Sequence, residues 1–435
     1  MDDSKTQSYG RNDDVTGITS LNDDSVNFGR APVDELLPSR TYTGNIPSGP
    51  SVPGLLLLPN ELLNHIFLFL DNAPPSERRF NHLPTRDWTD SHQAPLKALS
   101  TVSRRLRAIS LTLLFKHARL DPCQLTPWLD LVHRNELASS IESIVAHVSE
   151  LNDGFHPAWY VRLLNEVPVL RLTVGCESHV LTGLTGIHVN LADMWAFDIP
   201  YQYLELRQDA WEATRQNSYD YLPGLLGAKH WRSLRVNEGS SLAAYTSYEY
   251  FLKKPPSLIS NINDCLNTIP FDAEPEMLHE TAPGASIQIT LTQEMLRNLR
   301  DFSFIAVFPY YNHVDDILKC IRRMRNLENL FIKLCPDPES TALDDAVKAA
   351  KGHIDLNDPW NEVTTAYTLV AHTVRYMTVE GRLERLVIDD IKIEAIRDTI
   401  FDHVSATLRD FWTYGGNGVW TKSAVTTSQA GVSNG

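Results

Sequence analysis

The side chains best suited to chemistry are dispersed along this sequence. His353 lies near Asp355 and Asp358, which is the closest approach to a metal-binding cluster, and residues 415–418 read Gly-Gly-Asn-Gly. A short polar cluster of the first kind is typical of a solvated loop. The glycine run lacks the Lys-Ser/Thr pair and the helix that follow a phosphate-binding loop. We interpret the polar cluster around His353 as a loop and the glycine run at 415–418 as a turn.

Adjacent carboxylates are the other groups that could do acid-base work. Such pairs include Asp315-Asp316, Asp344-Asp345 and Asp389-Asp390. Successive side chains diverge on a helix or a strand, so the two members do not converge on one substrate. There is no Gly-x-Ser-x-Gly, His-Glu-x-x-His or Walker-type loop. The sequence thus predicts no catalytic, metal-binding or cofactor-binding residue. A hydrolase would need a buried histidine bonded to serine or cysteine in a cleft.

The most informative element is an apolar, helix-forming stretch at residues 55–119. Four side chains recur every four residues and so share one helix face: Leu58, Leu62, Ile66 and Leu70. After a polar insert at 72–94, a second stripe follows at Leu99, Val102 and Leu106. A third helix is predicted through residues 111–115. We predict three short helices, with a long loop between the first and the second.

Helices this short require tertiary burial to be stable. The first also carries Leu63, Phe67 and Phe69 around its sides, more than a unit of this size can bury. An apolar patch left open in this way usually marks a protein contact. Each side chain covered by a partner would contribute roughly 1.5 to 3 kcal/mol. The alternative is that the unit packs on the rest of the chain as ordinary core.

The same residues resemble a known module. The order Leu-Pro-x-Glu-Leu-x-x-x-Ile-Phe-x-x-Leu, then Leu-x-x-x-Leu-x-x-Val-Ser-Arg-Arg-Leu-Arg, resembles an F-box, which docks adaptor proteins onto a Skp-type linker of a cullin-RING ubiquitin ligase. The insert is longer than the family usually has. The resemblance implies a linker-binding face formed by Leu58, Pro59, Leu62, Ile66, Leu70, Leu99, Val102, Ser103 and Leu106.

Composition restricts the partners and the compartment. The net charge of −15 over 435 residues argues against general affinity for nucleic acid or anionic membranes. The five cysteines are scattered and suit reduced thiols. We see no signal peptide and no apolar run long enough to span a bilayer. We therefore expect a soluble cytoplasmic or nuclear protein. The tails at 1–54 and 423–435 are predicted to be disordered. Within the insert, Trp88 is predicted to anchor the loop on the folded part.

From residue 120 onward, a strand-like pattern recurs. Its form is apolar-x-x-apolar-x-apolar, and it begins at positions 141, 167, 201, 231, 299, 327, 383 and 408. The steps are 26, 34, 30, 68, 28, 56 and 25 residues, and the two long ones are about double the others. Amphipathic helical runs precede or separate several strands, at 159–167, 314–324 and 365–377. Residues 237–293 and 336–359 interrupt the period and are predicted to be loops.

The repeat at 327–335, Leu-x-x-Leu-x-Ile-x-x-Cys, resembles the leucine-rich-repeat form. Residues 120–422 thus resemble the irregular repeat arrays that follow F-boxes in many fungal proteins. The expected fold is α/β: a three-helix F-box and then an irregular leucine-rich-repeat-like solenoid. Its strands would form a parallel sheet whose intervening residues face solvent. The competing fold is a compact doubly wound domain, but no Gly-rich phosphate turn follows any strand.

The expected function is a non-enzymatic substrate-recognition adaptor of an SCF-type (Skp, cullin, F-box) ligase. The F-box would bind the linker, and through it cullin, while the repeat region would hold an unidentified target protein. The exposed strand positions and the aromatic loop at 245–251 are the expected target surface, because aromatics dominate interface hot spots. The alternative is a scaffold that binds the linker without recruiting cullin.

Overall fold

The computed structural model describes residues 54–70, 73–89, 95–148, 158–214, 224–247, 249–267, 283–350, 354–355 and 357–423. The tail predicted at 1–54 lies outside these residues apart from Gly54. The tail at 423–435 lies outside them apart from Ser423, and so does His353 of the suspected polar cluster.

The described part of the chain is a mixed α/β structure built on one ten-stranded, mostly parallel sheet. The strands are β1 (His117–Leu120), β2 (Ser143–Val148), β3 (Arg171–Glu177), β4 (Tyr201–Arg207), β5 (Ser233–Ser240), β6 (Asp301–Val307), β7 (Asn329–Lys333), β8 (Arg385–Ile388), β9 (Trp412–Gly416) and β10 (Val419–Lys422). The helices are α1 (Asn60–Leu68), α2 (Pro75–Arg79), α3 (Pro95–Val102), α4 (Arg104–Lys116), α5 (Leu125–Arg134), α6 (Trp159–Glu166), α7 (Leu181–Thr185), α8 (Met194–Phe197), α9 (Ala210–Ala213), α10 (Leu258–Asn267), α11 (Pro283–Asn298), α12 (Tyr311–Ile321), α13 (Ala342–Ala349), α14 (Asn357–Glu380) and α15 (Glu394–Leu408).

The strands lie side by side almost in chain order. The sheet runs β1-β2-β3-β4-β5-β6-β7-β8-β10-β9, so only the final pair is exchanged. Each of the eight stretches with the apolar strand pattern overlaps one of these strands, which confirms them as strands of a single sheet. The pattern did not find β1 and β10.

The prediction that every strand is parallel is wrong at two places. β4 pairs antiparallel with both β3 and β5, and β10 pairs antiparallel with β8 and β9. A parallel neighbour needs a crossover that travels the length of the strand, about 23 Å for seven residues. The described helices between β3 and β5 are only four or five residues long. The chain therefore turns back at the end of the sheet where the previous strand finished, and the next strand runs antiparallel.

One face of the sheet, which we call the helix face, carries the main core. Alternate strand residues such as Leu204, Leu234, Phe302 and Leu330 point to this face and are almost completely buried. Helices α10, α12, α14 and α15 pack beside one another across it. The buried positions of α12, including Val314, recur at helical spacing because only one side of the helix meets the sheet.

The stretch at 237–293 was predicted to be a loop, and this is wrong in part. Residues up to Ser240 belong to β5, and the buried helix α10 and the start of α11 lie within the same range. Helix α13 similarly occupies part of 336–359. The glycine run at 415–418 is a turn, as predicted. It joins β9 to β10 through Asn417 and Gly418, both at positive φ.

Helices α1, α3 and α4 form a small unit with its own core, which we call the N-terminal helical unit. Leu63, Phe67 and Leu106 lie at its centre. The stripe predicted to continue from Leu99 through Leu106 is interrupted, because Ser103 is extended and its side chain accepts a hydrogen bond from Leu106 N. That hydroxyl caps the start of α4. A single helix then continues to Lys116 and passes directly into β1.

Candidate partner-binding surfaces

The N-terminal helical unit leaves a group of large apolar side chains open. Leu57, Leu62 and Val102 are 74%, 50% and 64% exposed. The Arg105 guanidinium lies 2.7 Å from both the Leu58 carbonyl and Asn60 Oδ1. These bonds hold the start of α1 against the start of α4, so Leu62 and Val102 lie at the same end of the unit. We call this end the apolar end; Leu68 and Phe69, also exposed, lie at the other end of α1.

The nine residues expected to bind a linker do not form one exposed face. Leu106 is completely buried at the centre of the unit. Four residues pack around that centre and are half-buried: Leu58, Ile66, Leu70 and Leu99. Ser103 is used as a helix cap. Three are exposed and remain available to a partner: Pro59, Leu62 and Val102. Which side of each stripe stays open depends on how the helices meet, and the stripe alone does not show it.

The polar insert crosses the sheet on the face opposite the helices, which we call the insert face. Trp88 is 1% exposed and stacks on Tyr203 of β4 with ring centroids 4.0 Å apart. Gly175 leaves room for the indole, because a Cβ there would lie 3.0 Å from Trp88 Nε1 and 2.9 Å from the Tyr201 ring. The predicted anchoring role of Trp88 is therefore confirmed. Phe80 belongs to the same buried cluster.

Buried polar side chains of the sheet bind the backbone of the insert. Asn237, 1% exposed, donates from Nδ2 to the carbonyls of Phe80 at 2.6 Å and His82 at 2.7 Å. Lys333 Nζ donates to the carbonyl of Asn81 at 3.1 Å. An unpartnered buried donor is costly, so these bonds specify this path of the chain across the sheet.

Two consequences correct the sequence prediction. The residues between the apolar strand positions do not all face solvent, because the insert covers the middle of the sheet. The proposed aromatic target loop is also partly wrong, since Tyr245 is buried and its hydroxyl donates to the Phe308 carbonyl at 3.2 Å. Phe251 in the same loop is half exposed.

Beside the insert, the same face holds a groove of about 580 Å³ at the end where the parallel strands begin. We call it the arginine groove. Its lining includes Arg207, Arg232, Arg235, Arg385, Asp301 and Phe331. Arg207 and Arg235 both bind Glu205 Oε1, at 2.8 and 3.0 Å. Arg232 instead pairs with Asp209 at 2.9 Å.

Glu205 is the buried centre of this charge network. Burial opposes its ionisation, but Arg235, Arg207 and Arg171 outweigh that cost and hold the pKa of its carboxyl below the ordinary value. The carboxylate is therefore charged at neutral pH. It fixes two guanidinium groups at the floor of the groove.

A second cavity of about 700 Å³ lies at the opposite end of the central strands, near the start of β4 and the end of β5. Its walls are largely apolar and come from the insert, the segment before β4 and helix α13, with Leu83, Ile199 and Ala346 among them. The side chains that line this cavity do not form a cluster of reactive groups.

Two histidines are the closest approach to catalytic geometry among the described residues. His117 Nδ1 lies 2.7 Å from Ser143 Oγ across neighbouring strands, but neither residue lines either cavity described above. His313 is buried and bonds Glu238 at 2.9 Å, and Ser257 bonds the other oxygen of that carboxylate. In the described ranges, no group of three or more His, Cys, Asp or Glu side chains could hold a metal ion.

Comparisons with protein-family models, with curated proteins and with solved structures each gave no match for this chain. Within the described ranges, none of the helices has the length and apolar character needed to cross a bilayer.

The arginine groove was missed at the sequence level, although a signal for it existed. Arg207, Arg235 and Arg385 each stand next to an apolar strand position, and alternation places such neighbours on the opposite face. The polar contacts of Asn237 and Lys333 gave no comparable signal, because their partners lie more than 150 residues away in the sequence.

Proposed function

We propose that this protein is a non-enzymatic adaptor of an SCF-type ubiquitin ligase. Its N-terminal helical unit would act as an F-box that binds a Skp-type linker, and its sheet region would hold a target protein. In this role the chain would contribute geometry and no reacting group. It would accelerate ubiquitin transfer by holding two partners in one assembly.

The observation that carries the proposal is the open apolar end. Leu62 and Val102 are exposed although the unit has a core of its own, and the sheet region does not cover them. Leaving such side chains in water gains nothing for the isolated chain, whereas covering each one contributes roughly 1.5 to 3 kcal/mol. The F-box-like order of the sequence indicates a Skp-type linker as the partner that would cover them.

The sheet region supports the second half of the proposal. Strands that follow one another in chain order, with helices on one face, agree with an irregular leucine-rich-repeat-like solenoid. The antiparallel β4 is a departure from a regular array. The part of the insert face that the insert leaves uncovered would be available to a target.

The insert connects the helical unit to the sheet region. It leaves the helical unit after α1, crosses the sheet from Phe80 to Trp88 and returns to α3. Its buried contacts with β4, β5 and β7 bind the segment between α1 and α3 to the sheet region. An insert bound to the sheet in this way would limit how far a bound target can move relative to the linker and its ligase.

The test is co-purification with a co-expressed Skp-type linker, using Leu62→Asp and Val102→Asp. Both side chains are exposed, so the charged residue is tolerated in the free protein but opposes burial against a partner. We expect each substitution to weaken linker binding by at least about tenfold. Ile66 is a poorer choice, since it is half-buried in the unit's own core.

The matched control is Val379→Asp, because Val379 is also exposed but lies on α14, away from the helical unit. It should bind the linker as the unchanged protein does. Linker binding that survives in a folded Leu62→Asp Val102→Asp double variant would reject the docking assignment. Recovery of linker without cullin would favour the scaffold alternative over a ligase adaptor.

A further inference from the structure

We propose that the arginine groove binds an extended, acidic segment of a polypeptide, with two anionic side chains about six residues apart. This inference rests on the proposed function in one respect: the segment would belong to the target held by the sheet region. The anionic groups are carboxylates or phosphates, which arginine recognises by the same bidentate geometry.

One end of the groove is a prepared anion site. Arg207 uses Nε and Nη2 on Glu205 Oε1, both at 2.8 Å, which leaves Nη1 without an acceptor in the hydrogen bonds of the described residues. Arg235 is held by Glu205 and by Asn81 Oδ1, and its guanidinium lies 4.2 Å from the centre of the Phe80 ring. A guanidinium fixed in this way loses little conformational entropy when a ligand binds.

The other end is Arg385, the first residue of β8. Its side chain is exposed and lines the groove, and it makes no hydrogen bond or ion pair within the described part of the chain. In a chain of net charge −15, an arginine without a carboxylate partner is an unmatched positive charge. It provides the second contact point.

The sheet register sets the spacing between the two ends. Arg207, Ser233, Asp301, Asn329 and Arg385 occupy one row across β4 to β8. Four inter-strand intervals of about 4.8 Å separate the end residues by about 19 Å. An extended peptide advances about 3.3 Å per residue, so about six residues bridge the row.

The charge balance favours a peptide over a nucleic acid. Four arginines face Asp209 and Asp301, with Glu205 beneath them, so positive charge exceeds negative by only one. So small an excess suits a ligand with few anionic groups and not a polyanion, which the acidic chain as a whole would repel. Half-buried Phe331 and Val387 lie in the neighbouring row of the same face and give the peptide an apolar surface beside its path.

The experiment is fluorescence anisotropy with the full chain and labelled synthetic peptides of about twelve residues. One peptide carries two glutamates six residues apart, one carries two phosphoserines at the same spacing, one carries glutamines there, and one has the glutamates two residues apart. The variants are Arg385→Gln and Arg207→Gln. Arg409→Gln is the control, since Arg409 is exposed near the end of α15 and outside the groove.

We expect the six-residue glutamate or phosphoserine peptide to bind the unchanged protein and Arg409→Gln equally. Binding should weaken at least about fivefold with Arg385→Gln or Arg207→Gln, and also at high salt. The relative affinity of the two anionic peptides identifies carboxylate or phosphate as the preferred group. The glutamine peptide and the closely spaced peptide should bind more weakly.

The proposal is overturned by equal affinity for the glutamine peptide, by equal affinity of Arg385→Gln and the unchanged protein, or by no binding of either anionic peptide. Displacement of the peptide by an equal concentration of a single-stranded oligonucleotide would also overturn it. Linker co-purification with Arg385→Gln keeps the two proposals distinct. A protein that binds the peptide but no linker retains the groove assignment and loses the adaptor role.

Discussion

Replacing Trp88 by alanine should release the insert from the sheet. The indole is almost completely buried and stacks on Tyr203, and it lies in a small cluster separate from the helix-face core. The substitution removes the largest apolar contact of the insert. It leaves intact the hydrogen bonds that Asn237 and Lys333 make to the insert backbone.

The magnitude follows from the buried area. A buried tryptophan side chain removes about 200 Å² from water, which at about 25 cal/mol per Å² contributes about 5 kcal/mol. Measured tryptophan-to-alanine losses in cores are about 3 to 5 kcal/mol. A loss of this size raises the open population of the insert by roughly a hundredfold to a thousandfold or more.

Hydrogen exchange followed by mass spectrometry measures this opening directly. Amides at 73–89 should exchange roughly a hundredfold to a thousandfold faster, or more, in Trp88→Ala than in the unchanged protein. Trypsin should also cut sooner at Arg79 and Arg86. Amides of α14 should keep their exchange rates, because that helix packs on the helix-face core. Trp211→Ala is the matched control, since Trp211 is 65% exposed on α9.

Equal protection of 73–89 in Trp88→Ala and Trp211→Ala would refute the reasoning, since it would mean that the polar contacts alone hold the insert. A loss of protection spread evenly through α14 and the sheet would also contradict it. That result would show that the insert and the helix-face core unfold as one unit.

Two further predictions concern the buried carboxyl group of Asp390 and the N-terminal helical unit. Burial raises the pKa of Asp390 from 3.8 to about 7. The folded chain therefore binds the Asp390 proton more tightly than the unfolded chain does. The stability that this proton contributes is lost as the pH rises from about 4 to about 7. Asp390→Asn should flatten that part of a denaturant-measured stability curve, and an unchanged slope would contradict the assignment. Leu106→Ala should destabilise the helical unit by about 2 to 5 kcal/mol, whereas Val102→Ala should change it by less than about 0.5 kcal/mol, because only Leu106 is buried. Thermal unfolding of the two variants compares them, and similar losses would contradict the observed packing.

Local sequence pattern was enough to find most of the sheet. The apolar alternation at Leu204 and Leu206, or at Leu330 and Ile332, is a property of the strand itself, since only one face of each strand can meet the helices. Helices α6 and α12 and the second half of α14 were found for the same reason, from the runs at 159–167, 314–324 and 365–377, whereas α11 and α15 were not predicted. The apolar spacing of the helices found in this way follows the helical period whatever the neighbours are.

The direction of β4 was decided by tertiary structure. Its own residues fit either direction, and the result depends on connections whose described helices are too short to cross the sheet. The exposed set within the N-terminal helical unit was decided in the same way. Leu106 and Val102 belong to one sequence stripe, yet the break at Ser103 buries the first and exposes the second.

The sequence by itself determined eight of the ten strands, several of the helices, the acidic background and the presence of an apolar helical stretch near the front. Only the tertiary structure decided that the polar insert is seated on the sheet and that Arg207 and Arg385 share one row of it. The physical reason is separation along the chain. Thr85 bonds Tyr203 across 118 residues of sequence, and Phe80 bonds Asn237 across 157. Local periodicity carries no information about contacts between residues so far apart in the sequence.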